Sequence, residues 1–167
     1  TYNYLAFFKN DCYIEWLGIF DESLARQSDN PLIQQTVRFL DRGKTGLMTY
    51  ALRTNELDKY LTHYQENEIA YKGPFPGSRK KIDGSVIAWR MLFPEKETLP
   101  FFIEWESGIN LPNDKKNINS KTIDTIKSPY DPSYETVFKF KPKDKEIELI
   151  NGKLLFTNEK SPSFILK

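Results

Sequence analysis

Two glutamates stand in near-identical surroundings: Glu15 in Tyr13-Ile14-Glu15-Trp16 and Glu104 in Phe102-Ile103-Glu104-Trp105, each near the end of an aromatic-rich apolar run. A carboxylate among strand-forming residues is costly to bury, so its recurrence points to two related modules, each presenting one acidic group. Brought together, two carboxylates can hold a divalent ion or move protons at a substrate. Arginine supplies the opposite charge. Arg53, Arg79 and Arg90 could each grip an anionic substrate through paired N–H groups. Alternatively, Arg53 and Arg90 could neutralise Glu15 and Glu104 in structural ion pairs. Arg79 falls in a loop ahead of Asp83-Gly84, where substrate contact is common. Trp89 and Trp105 either fill the core or border a ligand pocket.

The elements that must position these residues read as a mixture of strands and helices. Tyr2 to Phe8 and Cys12 to Ile19 are joined by Lys9-Asn10-Asp11, which is hairpin chemistry. Alternation in the second run places Tyr13, Glu15 and Leu17 on one face and Cys12, Ile14 and Trp16 on the other. Asn30-Pro31 opens a short connecting helix over 30–43, with Leu32, Ile33, Val37 and Leu40 as its apolar stripe. Leu47 to Arg53 reads as a strand with Thr49, Ala51 and Arg53 on one face. A helix follows, capped by Thr54 or Asn55 and running to about Glu68.

Gly73-Pro74-Phe75-Pro76-Gly77 enforces a loop or an edge segment. Ser85 to Phe93 and Leu99 to Trp105 are two further strands. Residues 109–135, poor in apolar periodicity, read as a linker. Val137 to Phe140, Glu146 to Ile150 and Lys153 to Phe156 read as short strands of a small C-terminal segment over 136–167, with a hairpin signal at Asn151-Gly152.

Composition narrows the function. Lysine and arginine number 24 against 23 for aspartate and glutamate, so net charge argues for neither a nucleic-acid nor a membrane-surface partner and leaves a small molecule as the expected one. Cys12 is the single cysteine, which offers no disulfide framework and suits a reducing cytoplasm. No apolar run approaches the roughly 18 residues of a membrane span. His63 falls off its helix's apolar stripe and is expected in solvent; Cys12 is expected as a small core residue.

The ordered set Thr1-Tyr2-Asn3-Tyr4-Leu5, Tyr13-Ile14-Glu15, Tyr50-Ala51-Leu52-Arg53 with Glu56-Leu57-Asp58, Arg79 with Asp83-Gly84, Trp89-Arg90, and Leu99-Pro100-Phe101-Phe102-Ile103-Glu104-Trp105 resembles the glyoxalase-like domain family of the vicinal oxygen chelate superfamily. The resemblance spans about residues 1–108. It implies an α+β fold of paired βαβββ modules with curved mixed sheets around a cavity. The first module's end lies at 1–20, its opening elements are expected upstream of Thr1, and the second module occupies 47–108.

In metal-dependent members the ligands come from the first and last strands of each module. Carried over, these positions fall on Glu15, Glu104 and Thr49, for a divalent zinc, manganese, nickel or iron ion. Glu15 and Glu104 are then the catalytic candidates, and Asn3, Arg53, Arg79, Arg90 and Trp105 the substrate-binding ones. Three functions follow: a metal-dependent lyase, isomerase or dioxygenase; a metal-free binding or sequestration protein on the same fold; or a degenerate structural or interaction module. The resemblance also implies a homodimer, and a bacterial type for the small-molecule enzyme.

Overall fold

The structure, a computed structural model, describes residues 1–81, 83–112 and 114–167. In chain order the strands and helices are β1 (Tyr2–Phe8), β2 (Tyr13–Gly18), α1 (Glu22–Arg26), α2 (Pro31–Asp41), β3 (Ala51–Arg53), α3 (Leu57–Glu66), β4 (Tyr71–Lys80), β5 (Val86–Pro94), β6 (Phe101–Trp105), β7 (Ile118–Asn119), β8 (Ile123–Pro129), α4 (Ser133–Phe138), β9 (Glu146–Leu149), β10 (Gly152–Thr157) and β11 (Ser163–Leu166). The chain is α+β, with three sheets of three or four strands. It divides into two compact units: Thr1–Met48 with Leu111–Tyr130 and Lys141–Lys167, and Thr49–Asn110 with Asp131–Phe140.

The first unit holds the expected hairpin. β1 and β2 pair antiparallel with Tyr4 opposite Trp16, Leu5 opposite Glu15 and Phe7 opposite Tyr13, which is the alternation read from the sequence. The turn between them is fixed by Asn10. Its Nδ2 donates to Ile123 O at 2.8 Å and Asn151 O at 2.5 Å, while its Oδ1 accepts Ile123 N–H at 3.2 Å. One side chain thus ties the β1–β2 turn to the start of β8 and to the β9–β10 turn. The latter is the hairpin signalled by Asn151-Gly152, with Gly152 opposite Leu149.

α2 begins as expected, with the Asn30 side chain accepting Leu32 N–H at 2.9 Å and Pro31 in the first turn. Pro31 lacks the N–H that such a position leaves unpaired.

The second unit contains the order β3-α3-β4-β5-β6, a βαβββ module, folded into a sheet of order β3-β6-β5-β4. β3 runs parallel to β6, and the other neighbours are antiparallel. α3 and α4 cover one face. Leu57 and Tyr64 of α3 are fully buried, as are Tyr134 and Phe138 of α4. Phe102 of β6 joins the two helices, its ring 3.9 Å from Tyr60 and 5.2 Å from Phe138 between centroids.

Several local expectations change. The strand read over Val137 to Phe140 is the end of α4, because Tyr134, Val137 and Phe138 recur at helical spacing and bury one stripe. Lys139, at φ 58°, ends it. The linker stretch contributes β7 and β8; Asn113 within it lies outside the described residues. The Gly73 to Gly77 stretch takes the edge alternative read from the sequence, as part of the ten-residue edge strand β4, where prolines are tolerated. The strand expected from Leu47 is limited to Ala51–Arg53.

Asp131 anchors α4. Its Oδ1 accepts Ser133 N–H at 2.9 Å, and Lys96 Nζ approaches its Oδ2 at 2.6 Å. Burial pushes this carboxyl up, but the Lys96 ammonium and the Ser133 donors outweigh burial and hold it below the ordinary 3.8. A depressed folded pKa stabilises the fold above the ordinary value and is lost as pH falls through the folded one. Urea midpoints of the second unit should therefore drop on acidification below about pH 4. Asp131→Asn should flatten that part of the profile.

Candidate functional site

Strand register sorts the candidate residues of the second unit onto two faces. Directly opposed residues share a face. One face carries Ala51 and Arg53 of β3, Phe101, Ile103 and Trp105 of β6, Trp89 and Met91 of β5, and Phe75, Gly77 and Arg79 of β4. The other carries Leu52, Phe102, Glu104, Leu92 and Arg90, and it is the face that α3 covers. The fold therefore puts Arg53, Arg79 and Trp105 on one face, with Arg53 on the edge strand β3 and Arg79 on the opposite edge strand β4, and places Glu104 and Arg90 on the other face.

Glu104 is held tightly there. Its Oε1 accepts the Leu57 N–H at 3.1 Å. Its Oε2 accepts from Arg90 Nε at 3.1 Å and again from Arg90 Nη2. The Glu104 side chain is only 17% exposed. Arg90 reaches on to Asp58, with Nη1 to Oδ1 at 2.9 Å and Nη2 to Oδ2 at 3.1 Å. The Arg90 hydrogen bonds hold the Asp58 carboxyl below its ordinary range.

This arrangement solves a local problem. The residue before α3, Glu56, makes no capping bond with its side chain, so the first-turn N–H of Leu57 would lack a partner. Thr54, expected as the cap, instead accepts Glu56 N–H at 3.0 Å. Glu104 supplies the missing acceptor from the sheet and places negative charge at the helix's positive end. The Glu104–Arg90 pair is legible in the sequence; the parts played by Leu57 and Asp58 are not, although both lie in the Glu56-Leu57-Asp58 motif.

In the first unit, Glu15 is exposed and accepts a hydrogen bond from Asn3 Nδ2 on its Oε1 at 2.8 Å. Asn3 and Glu15 share the face of Leu5 and Leu17, as the pairing of Leu5 with Glu15 and of Asn3 with Leu17 requires. Thr49 is half-buried just before β3. Trp105 is 6% exposed, with its ring 5.1 Å from Trp89. His63, expected in solvent, is half-buried instead, its Nε2 2.7 Å from Thr136 O and its Nδ1 3.0 Å from Asn67 Nδ2. Cys12 accepts from Asn151 Nδ2 at 3.1 Å.

The donor set does not fit a divalent ion. Glu104 has each oxygen engaged by N–H donors, two of them from a cation, and an arriving ion would have to displace Arg90. Thr49 offers a neutral hydroxyl, a weak ligand beside the carboxylate, imidazole or thiolate that such ions take. Among the described residues no three His, Cys, Asp or Glu side chains gather as a metal requires.

The βαβββ module, with its short parallel first strand against the last, defines a glyoxalase-like class of fold. The family model of the glyoxalase-like domain matches residues 1–133, and the chain belongs to that family. A solved structure titled as a hypothetical protein from Staphylococcus aureus is similar with a TM-score of 0.72 at 18% identity, covering 98% of this chain and 74% of that one. That likeness is one of fold. No curated protein matches the chain. Among the described residues no helix is long and apolar enough to cross a membrane.

Proposed function

We propose that the protein binds a small organic molecule without a resident metal, using the sheet face of the second unit that bears Arg53, Arg79 and Trp105. The engagement of Glu104 by Arg90 and the Leu57 N–H carries this reading. It converts the best metal-ligand candidate of the module into a structural cap and leaves recognition to guanidinium and aromatic groups. The proposal includes a cytoplasmic setting, where Cys12 stays a thiol, and a small-molecule partner rather than a nucleic acid or a membrane.

The metal-dependent lyase, isomerase or dioxygenase reading requires Arg90 to release Glu104. Calorimetric titration of the full chain with small organic acids, with and without a chelator, separates the two. Affinity unchanged by the chelator, and lowered about tenfold by Arg79→Gln, is the expected result. Binding that disappears with the chelator and returns with a divalent ion would overturn it.

A further inference from the structure

On the arginine-bearing face of this sheet, Trp105, Trp89 and Gly77 form one row across β6, β5 and β4. The Trp89 indole fills the space where a side chain at residue 77 would stand. A Cβ there would meet its Cε2, Nε1 and Cζ2 atoms at 2.4, 2.5 and 2.7 Å. Glycine is what allows this ring to lie against the backbone of the edge strand. Trp105, at 52° to it, flanks the indole and is itself buried. Trp89 is thus fixed in orientation while staying partly exposed.

Arg79 stands two residues beyond Gly77 on the same strand and so on the same face, opposite Ile87. That register makes it the diagonal neighbour of Trp89, within reach of a long side chain. It is half-buried, and among the described residues it makes no hydrogen bond or ion pair. Lys80 and Lys81 follow it, so the end of this strand is locally positive. A partly desolvated guanidinium with no anion is an unfavourable arrangement that an incoming carboxylate relieves.

We infer that Trp89 and Arg79 form a recognition pair for a planar aromatic carboxylate, whose ring stacks on the indole while its carboxylate takes two N–H donors from Arg79. This rests on the small-molecule reading above and names the ligand class of that face. Stacking needs the flat π surface and the guanidinium needs the charge, so each half of the ligand is recognised by a different residue.

The test uses three probes on the full chain in chelator-containing buffer: salicylate, which has ring and charge; cyclohexanecarboxylate, which has charge alone; and benzamide, which has the ring alone. Tryptophan fluorescence and calorimetry should give salicylate about tenfold tighter binding than either analogue. Trp89→Leu should erase the preference over cyclohexanecarboxylate, and Arg79→Gln the preference over benzamide, with Arg79→Lys restoring part of it. Arg79 lies near the end of an edge strand outside the aromatic core, so Arg79→Gln remains informative even if Trp89→Leu fails to fold.

Equal affinity for salicylate and cyclohexanecarboxylate would overturn the aromatic class while leaving the metal-free site in place. Failure of all three probes to bind overturns the recognition pair. Salicylate binding that appears only after a divalent ion is restored overturns the underlying reading instead.

Discussion

Replacing Glu104 with alanine should destabilise the second unit by about 3 kcal/mol, seen as a lower urea midpoint. Three N–H groups lose their acceptor in that variant: Leu57 N–H, Arg90 Nε–H and one Arg90 Nη–H. Arg90 keeps Asp58, but that carboxylate is 74% exposed, and exposed pairs contribute at most about 1 kcal/mol. Glu104→Gln keeps acceptor capacity and loses charge, so its cost should be smaller, about 1 to 2 kcal/mol. The sign is the informative part. A carboxylate kept for a metal sits among other acidic groups, and neutralising it in the metal-free protein relieves repulsion and tends to stabilise.

The second large effect is expected far from any site. Asn10→Ala should cost the first unit about 2 to 3 kcal/mol, because three hydrogen bonds of about 1 kcal/mol each disappear and the Ile123 N–H loses its acceptor. Asn10→Asp is a sharper variant: it can still accept from Ile123 N–H, but it cannot donate to the two carbonyls and brings a charge beside them. Thermal unfolding should rank wild type above both variants. A drop within a few tenths of a kcal/mol for Asn10→Ala would mean that the turn is held by its strands alone.

Much of this arrangement was readable from local pattern. Alternation in Cys12 to Leu17 assigned the faces of β2, and Asn30-Pro31 marked the start of α2. In the second module, the order of strand, helix, edge segment and two strands followed from turn chemistry. α4 was not readable in the same way. Val137 and Phe138 favour strands in isolation, and the short helix exists because Tyr134, Val137 and Phe138 can bury one stripe.

The candidate site divided for a related reason. Period-two alternation already placed Phe102 and Glu104 on one face and Ile103 and Trp105 on the other. Which face would meet α3 is a tertiary fact that no local signal carries. The cap on Leu57 comes from a residue 47 positions away, beyond the reach of any rule about neighbours in sequence. The repeated phrase around Glu15 and Glu104 suggested equal roles, yet Glu15 is exposed beside Asn3 while Glu104 is held beneath a helix.

The most direct test of the central claim, that Glu104 serves the fold rather than a metal, is a manganese(II) titration of the isotope-labelled full chain followed through the Leu57 amide and Arg90 Nε–H resonances. Both should keep their position and linewidth at equimolar manganese, because the carboxylate stays bound to its two partners. Loss of both signals at or below one equivalent would place the ion at Glu104 and contradict the account.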